Sequence, residues 1–135
     1  MKLKPTLLIL LFASALLFTG CKDKAAQLAG SWKVNDLKYT KKIPKHMQDA
    51  VDVTVANLRT SFVLTYNTDG TYFREMNGNK QKGKWKLNWN ASKISSTNEN
   101  EESFNYDVLE LSENKFSFKA IADGEDIIFE MVRAK

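Results

Sequence analysis

From Ser61 to the C-terminus the sequence is a succession of short segments in which apolar and polar side chains alternate, each ended by a cluster of Asn, Asp, Gly or Ser. Alternation at period two places apolar residues on one face of a pleated strand, whereas a helix needs a period of 3.6. Most of the chain is thereby committed to sheet. GKWKLNW is the clearest instance, with Trp85, Leu87 and Trp89 on one face against Lys84, Lys86 and Asn88. KFSFKAIA and DIIFEMVR repeat the pattern, the latter with Ile127, Phe129 and Met131 together. Phe104, Tyr106 and Val108 also alternate, and then the phase slips to Leu109 and Leu111, as it does at a β-bulge.

Turn chemistry links these segments. Between SFVLTYN and TYFREMN lies Asn67-Thr68-Asp69-Gly70. A type I turn with a bulge pairs Tyr66 with Tyr72 and Leu64 with Arg74, while a two-residue Asp-Gly turn pairs Tyr66 with Phe73. One residue of slip exchanges the faces of the second strand, so at this level its inward side stays open. Gly78-Asn79-Lys80, Asn90 to Lys93, Ser112-Glu113-Asn114 and Asp123-Gly124-Glu125 read as further turns. Residues 94–102 are polar throughout and read as an edge strand or a loop.

Upstream, Leu28 to Tyr39 reads as the first strand, with Trp32 and Val34 on one face. Met47, Val51, Val55, Leu58 and Phe62 then recur at spacings of three and four, which predicts a helix over 44–59 with Pro44 in its first turn. The expectation is an all-β domain of about eight antiparallel strands with one helix after the first. Such a series folds as an up-and-down barrel or as a two-sheet sandwich. Closure leaves no bare strand edge, and eight strands enclose an interior that side chains fill or that holds one small ligand.

The first 20 residues have another character. Lys2 and Lys4 precede an apolar run from Leu7 to Phe18, and small residues follow. That run is 12 residues long, whereas a membrane-crossing helix needs about 20, so it reads as a secretory signal rather than a span. The only cysteine, Cys21, closes the sequence Phe18-Thr19-Gly20-Cys21, which resembles a bacterial lipobox. That resemblance implies cleavage before Cys21 and lipid on its thiol, which accounts for an unpaired cysteine in an oxidising compartment. Lys22 stands where an aspartate often signals inner-membrane retention, so the expected address is the outer membrane, on its periplasmic side or at the cell surface. Residues 21–27 are the expected lipidated tether and 28–135 the folded domain.

Charge excludes more than it suggests. Lys2 and Lys4 leave with the signal, so the net charge falls from +4 to +2. With Arg59, Arg74 and Arg133 the only arginines, no basic stripe for nucleic acid is present. Lys80, Lys82, Lys84 and Lys86 line the solvated face of one strand. His46 is the sole histidine and lies on the predicted helix, and no thiol nucleophile exists apart from Cys21, so catalysis is not expected. Glu99, Glu101 and Glu102 lack the alternation and turn glycine of a calcium loop, and no zinc spacing or phosphate-cradling loop occurs, so neither metal nor cofactor is expected.

Leu28-Ala29-Gly30-Ser31-Trp32, Asp69-Gly70-Thr71 and Gly83-Lys84-Trp85, in that order, resemble the lipocalin-like domains of bacterial lipoproteins. The resemblance implies a closed barrel in which Trp32 plugs one end and Arg133 covers it. It departs from transport lipocalins in the helix between the first two strands. Of 15 aromatic residues, many fall on strand faces. Leu64, Tyr66, Trp85, Leu87, Trp89, Phe104, Tyr106, Phe116, Phe118 and Phe129 are the candidate lining of a cup. The functional expectation is an anchored, non-catalytic barrel that binds a small hydrophobic ligand. The alternative is a solid barrel serving as a protein-interaction or envelope-structural module.

Overall fold

The alternating segments close on themselves. In the computed structural model, which describes residues 24–122 and 124–134, eight strands pair in sequence order and the last returns to the first. They are β1 (Gly30–Tyr39), β2 (Phe62–Tyr66), β3 (Thr71–Met76), β4 (Asn79–Leu87), β5 (Lys93–Asn98), β6 (Ser103–Leu111), β7 (Lys115–Ala122) and β8 (Glu125–Arg133). Every pairing is antiparallel, and Trp32 lies opposite both Leu64 of β2 and Arg133 of β8. The expected signal sequence over residues 1–20 and the expected anchor Cys21 lie outside the described residues.

Turn geometry decides the faces. The loop after β2 is the longer of the two alternatives, with Gly70 N donating to the Asn67 carbonyl and Tyr66 opposite Tyr72. Tyr72 is therefore buried and Phe73 is 43% exposed. The next turn is Asn77-Gly78, not Gly78-Asn79-Lys80. Both of its residues have positive φ, 53° and 82°, the pair of values that a two-residue hairpin needs to match strand twist. The phase slip in β6 is a bulge between Val108 and Glu110, and it throws Leu109 outward at 52% exposure.

Residues 94–102 are neither an edge nor all loop, since β5 sits between β4 and β6 with Ile94, Ser96 and Asn98 buried. Its inward face carries polar side chains, so its sequence shows no apolar alternation. Closure of the sheet, a long-range effect, supplies the pairing. Beyond Asn98 the chain turns through Glu101 at φ 62°, with the Asn98 carboxamide oxygen accepting from the amides of Asn100 and Glu102.

The excursion after β1 is a 3-10 turn (Lys45–Met47) followed by α1 (Gln48–Ser61). Pro44 stays extended just ahead of it. Val55 joins the core, Val51 and Leu58 pack against it, and Met47 is half exposed. One end of the barrel, where β1 starts and β8 stops, is capped by helical residues 24–28, with Leu28 fully buried. At the other end, the mouth, lie α1 and the 77–78 and 99–102 connections.

The interior has two unlike walls. β7, β8, β1 and β2 contribute Phe116, Phe118, Met131, Val34 and Leu64, each no more than 2% exposed. Phe118 stacks on Phe129 at 5.0 Å with the rings 5° from parallel, and Phe116 lies 5.0 Å from Phe118. The opposite wall, toward the mouth, presents Arg74, Gln81, Ser96 and Asn98 at inward positions of β3, β4 and β5. At Gly83 these strands crowd together: an added Cβ would meet the Thr97 carbonyl oxygen at 2.0 Å and Asn98 Cα at 2.8 Å.

Candidate functional site: the barrel mouth

The two ends of the barrel differ in chemistry. At the closed end, Trp32 is fully buried and its Nε1 donates to the Leu28 carbonyl at 2.8 Å. The Arg133 guanidinium lies 3.9 Å from the centre of the Trp32 ring. It donates to the carbonyls of Ala29 at 2.7 Å, Glu113 at 2.8 Å, and Gln27. Gly30 has φ +119°, and an added Cβ there would stand 2.7 Å from Arg133 Nη1. This end is sealed by stacking and by satisfied carbonyls, so it offers no entrance.

The mouth is a cleft of about 390 Å³ lined by Arg74, Met76, Gln81, Asn98 and the rim residues Asn77, Asn79, Lys80, Glu99 and Asn100. That volume falls in the range of small-molecule sites. Arg74 and Gln81 face each other across the β3–β4 ladder. The Arg74 guanidinium rests 5.4 Å from the Phe104 ring centre, and its charge acts on the Tyr106 phenol. None of the carboxylates that form ion pairs among the described residues pairs with it.

Beneath Arg74 the polar wall continues as phenols. Tyr66 and Tyr72 are 1% and 3% exposed, and their hydroxyls have no hydrogen-bond partner among the described residues; the same holds for Gln81 Oε1. Burial pushes the Tyr66 phenol well above its ordinary range, and its neighbours Tyr106 and Tyr72 add to the effect. Burial raises Tyr72 and Tyr106 too, against a downward pull from the Arg74 charge. A buried polar oxygen without a partner costs about 1–3 kcal/mol; of the three here Gln81 lines the cleft, and a fourth such oxygen, Gln27 Oε1, lies at the closed end.

The expected aromatic cup is mostly packed core. Leu64, Tyr66, Phe116 and Phe118 are buried, and Trp85, Leu87, Tyr106 and Phe129 pack against them. Phe104 is partly buried beneath Arg74. Trp89 is 81% exposed and does not share the interior with Trp85 and Leu87. Asn88 starts a turn there, its side-chain oxygen accepting from the amides of Ser92 and Lys93, so the chain leaves the pleat one residue before Trp89. His46 is exposed, as are Lys80, Lys82, Lys84 and Lys86. Arg74, Gln81 and Tyr72 escaped the sequence reading because the face of β3 depended on loop length. Choosing the four-residue loop would have placed Arg74 opposite Leu64 and hence inside.

A closed eight-stranded antiparallel barrel with a helix after its first strand, sealed at one end and open at the other, is a lipocalin-like barrel. Among solved structures it is similar to a lipocalin-like protein from Bacteroides uniformis, with a TM-score of 0.52 and 14% identity over 80% of this chain and 99% of that one. It is likewise similar to a DUF4847-family protein from Bacteroides vulgatus, with a TM-score of 0.53 and 16% identity over 80% of this chain and 94% of that one. At such identities the shared feature is the fold. No protein-family model matches the sequence, and no curated protein does.

Proposed function

We propose that this chain is a lipid-anchored envelope protein of the outer membrane, facing the periplasm or the cell surface, whose barrel takes a small molecule at its mouth and performs no chemistry of its own. The observation that carries the ligand-binding part is the cleft lined by Arg74, Gln81 and Asn98, in which the buried Gln81 Oε1 lacks a partner among the described residues. The ligand is amphipathic rather than wholly apolar, because the apolar wall is filled by its own side chains and the free space is bordered by polar ones. The anchoring part is supported by the lipobox-like Phe18 to Cys21.

The two parts fit together geometrically. Lys24 Nζ donates to the Leu111 carbonyl at 3.0 Å, and Arg133 grips the carbonyls of Gln27 and Ala29, so the chain enters the barrel at the closed end. Three extended residues span at most about 11 Å. A lipid on Cys21 therefore sets the closed end toward the bilayer and turns the mouth to the aqueous side. Native mass spectrometry of the protein purified from its own host is the test: a retained small molecule is expected, and the bare mass across repeated preparations overturns ligand binding. Cys21→Ser is expected to release the protein from the membrane fraction and to remove the acyl mass. A variant still in membranes with unchanged mass overturns the anchor.

A second reading, a partner-protein module, is favoured by one feature outside the barrel. Phe73, at 43% exposure, borders a groove of about 410 Å³ with Thr71, Lys82, Lys84 and Thr97.

A further inference from the structure

We infer that the mouth selects a ligand bearing a single carboxylate, with Arg74 as its counter-ion. This rests on the ligand-binding role proposed above and goes on to name the class. Arg74 is a permanent cation held at an inward strand position, part-buried, with its face on Phe104 and without a carboxylate partner among the described residues. Its planar fork of donors matches the two oxygens of a carboxylate. Tyr72, 3% exposed, lies one inward position deeper than Arg74 on β3, below the cleft lining, and its hydroxyl, without a partner among the described residues, is the next inward donor on that strand. Gln81 Oε1, directly across the ladder from Arg74, is an unused acceptor suited to a hydroxyl or amine on the same ligand.

Charge number sets the choice between a carboxylate and a phosphate. The cleft holds Arg74 and Lys80 against Glu99, and Glu102 is near enough to act on the Tyr72 phenol. Lys80 points to the outer face, at an exposed position opposite Glu75. One inward cation, with carboxylates close by, balances one negative charge rather than two. A monoanion fits, and a phosphate dianion is left with a charge that no second inward cation offsets.

The test is isothermal titration calorimetry of the full chain with benzoate, its neutral counterpart benzamide, and phenyl phosphate. Benzoate is expected to bind at least 10-fold tighter than benzamide and no weaker than phenyl phosphate. Arg74→Met is expected to bring benzoate and benzamide within 2-fold of each other, and Tyr72→Phe, which keeps the charge and the ring, to weaken benzoate severalfold. Thermal melts of each variant confirm that the barrel is intact. Equal binding of benzoate and benzamide to the unmodified chain overturns the carboxylate while leaving ligand binding standing. Phenyl phosphate binding 10-fold tighter than benzoate moves the site to phosphate and overturns it too. Binding of none of the three, together with a bare native mass, removes both the class and the ligand-binding role.

Discussion

Removing one oxygen from the core should make this protein more stable. Tyr66 is 1% exposed and its hydroxyl has no partner among the described residues, while its ring packs against Trp85 at 5.1 Å, Phe116 at 6.3 Å and Tyr72 at 6.5 Å. Tyr66→Phe keeps the ring and those contacts and deletes the unpaired oxygen. An unsatisfied buried hydroxyl costs about 1–3 kcal/mol, so a gain of that order is expected in urea unfolding. In a domain of this size each kcal/mol moves the Tm by about 4 °C, giving a rise of roughly 4–12 °C. Alkaline pH supplies an independent readout. The folded-state pKa of Tyr66 is raised by burial, so below the ordinary tyrosine range the group leaves stability independent of pH. As pH climbs past that range the unfolded chain ionises first, and stability falls until the folded value is passed. Tyr66→Phe should flatten that alkaline limb. A loss of stability in the variant would refute the reasoning, because it would show that the hydroxyl is already bonded.

Other substitutions probe what shapes the barrel. Gly83→Ala puts a methyl group into backbone atoms of Thr97 and Asn98, which cannot move without breaking the β4–β5 ladder. The expected loss is about 3 kcal/mol or more in chemical denaturation, and a loss under about 1 kcal/mol would show that the two strands part easily. Arg133→Met removes three charge-assisted bonds to carbonyls and the stacking on Trp32, with an expected cost of about 2–4 kcal/mol in urea unfolding. Arg133→Lys should recover little of it, since an ammonium cannot reach three carbonyls while lying flat on an indole. Asp69 accepts from both the amide and the hydroxyl of Thr71, which lowers its pKa. Its contribution is present above the ordinary aspartate range and is lost as pH falls through the lower folded value. The protection factors of the Thr71 and Gly70 amides, measured against the intrinsic exchange rate at each pH, should therefore fall at acid pH, and Asp69→Asn should remove that pH dependence.

Trp32 and Arg133 were offered as neighbours only by the resemblance to lipocalin-like domains; the sequence pattern itself carried the strand count, the helix after the first strand and the bulge near Leu109. These are legible because each is local or periodic: alternation, turn residues and a slip of phase act within a few positions. Three features were settled only in the folded structure. The polar run 94–98 became an inner strand because two neighbours offered it ladders, although its own pattern gave no strand signal. Trp89 fell outside because the Asn88 turn ends β4 at Leu87, two residues before it. Arg74, Tyr72 and Gln81 came together because loop length fixed the register of β3, and register is a property of two strands, not of one. The amino-acid pattern thus determined what kind of sheet forms. Which polar groups share its interior was decided by how that sheet closes, since a side chain's neighbours across a barrel lie dozens of residues away along the chain.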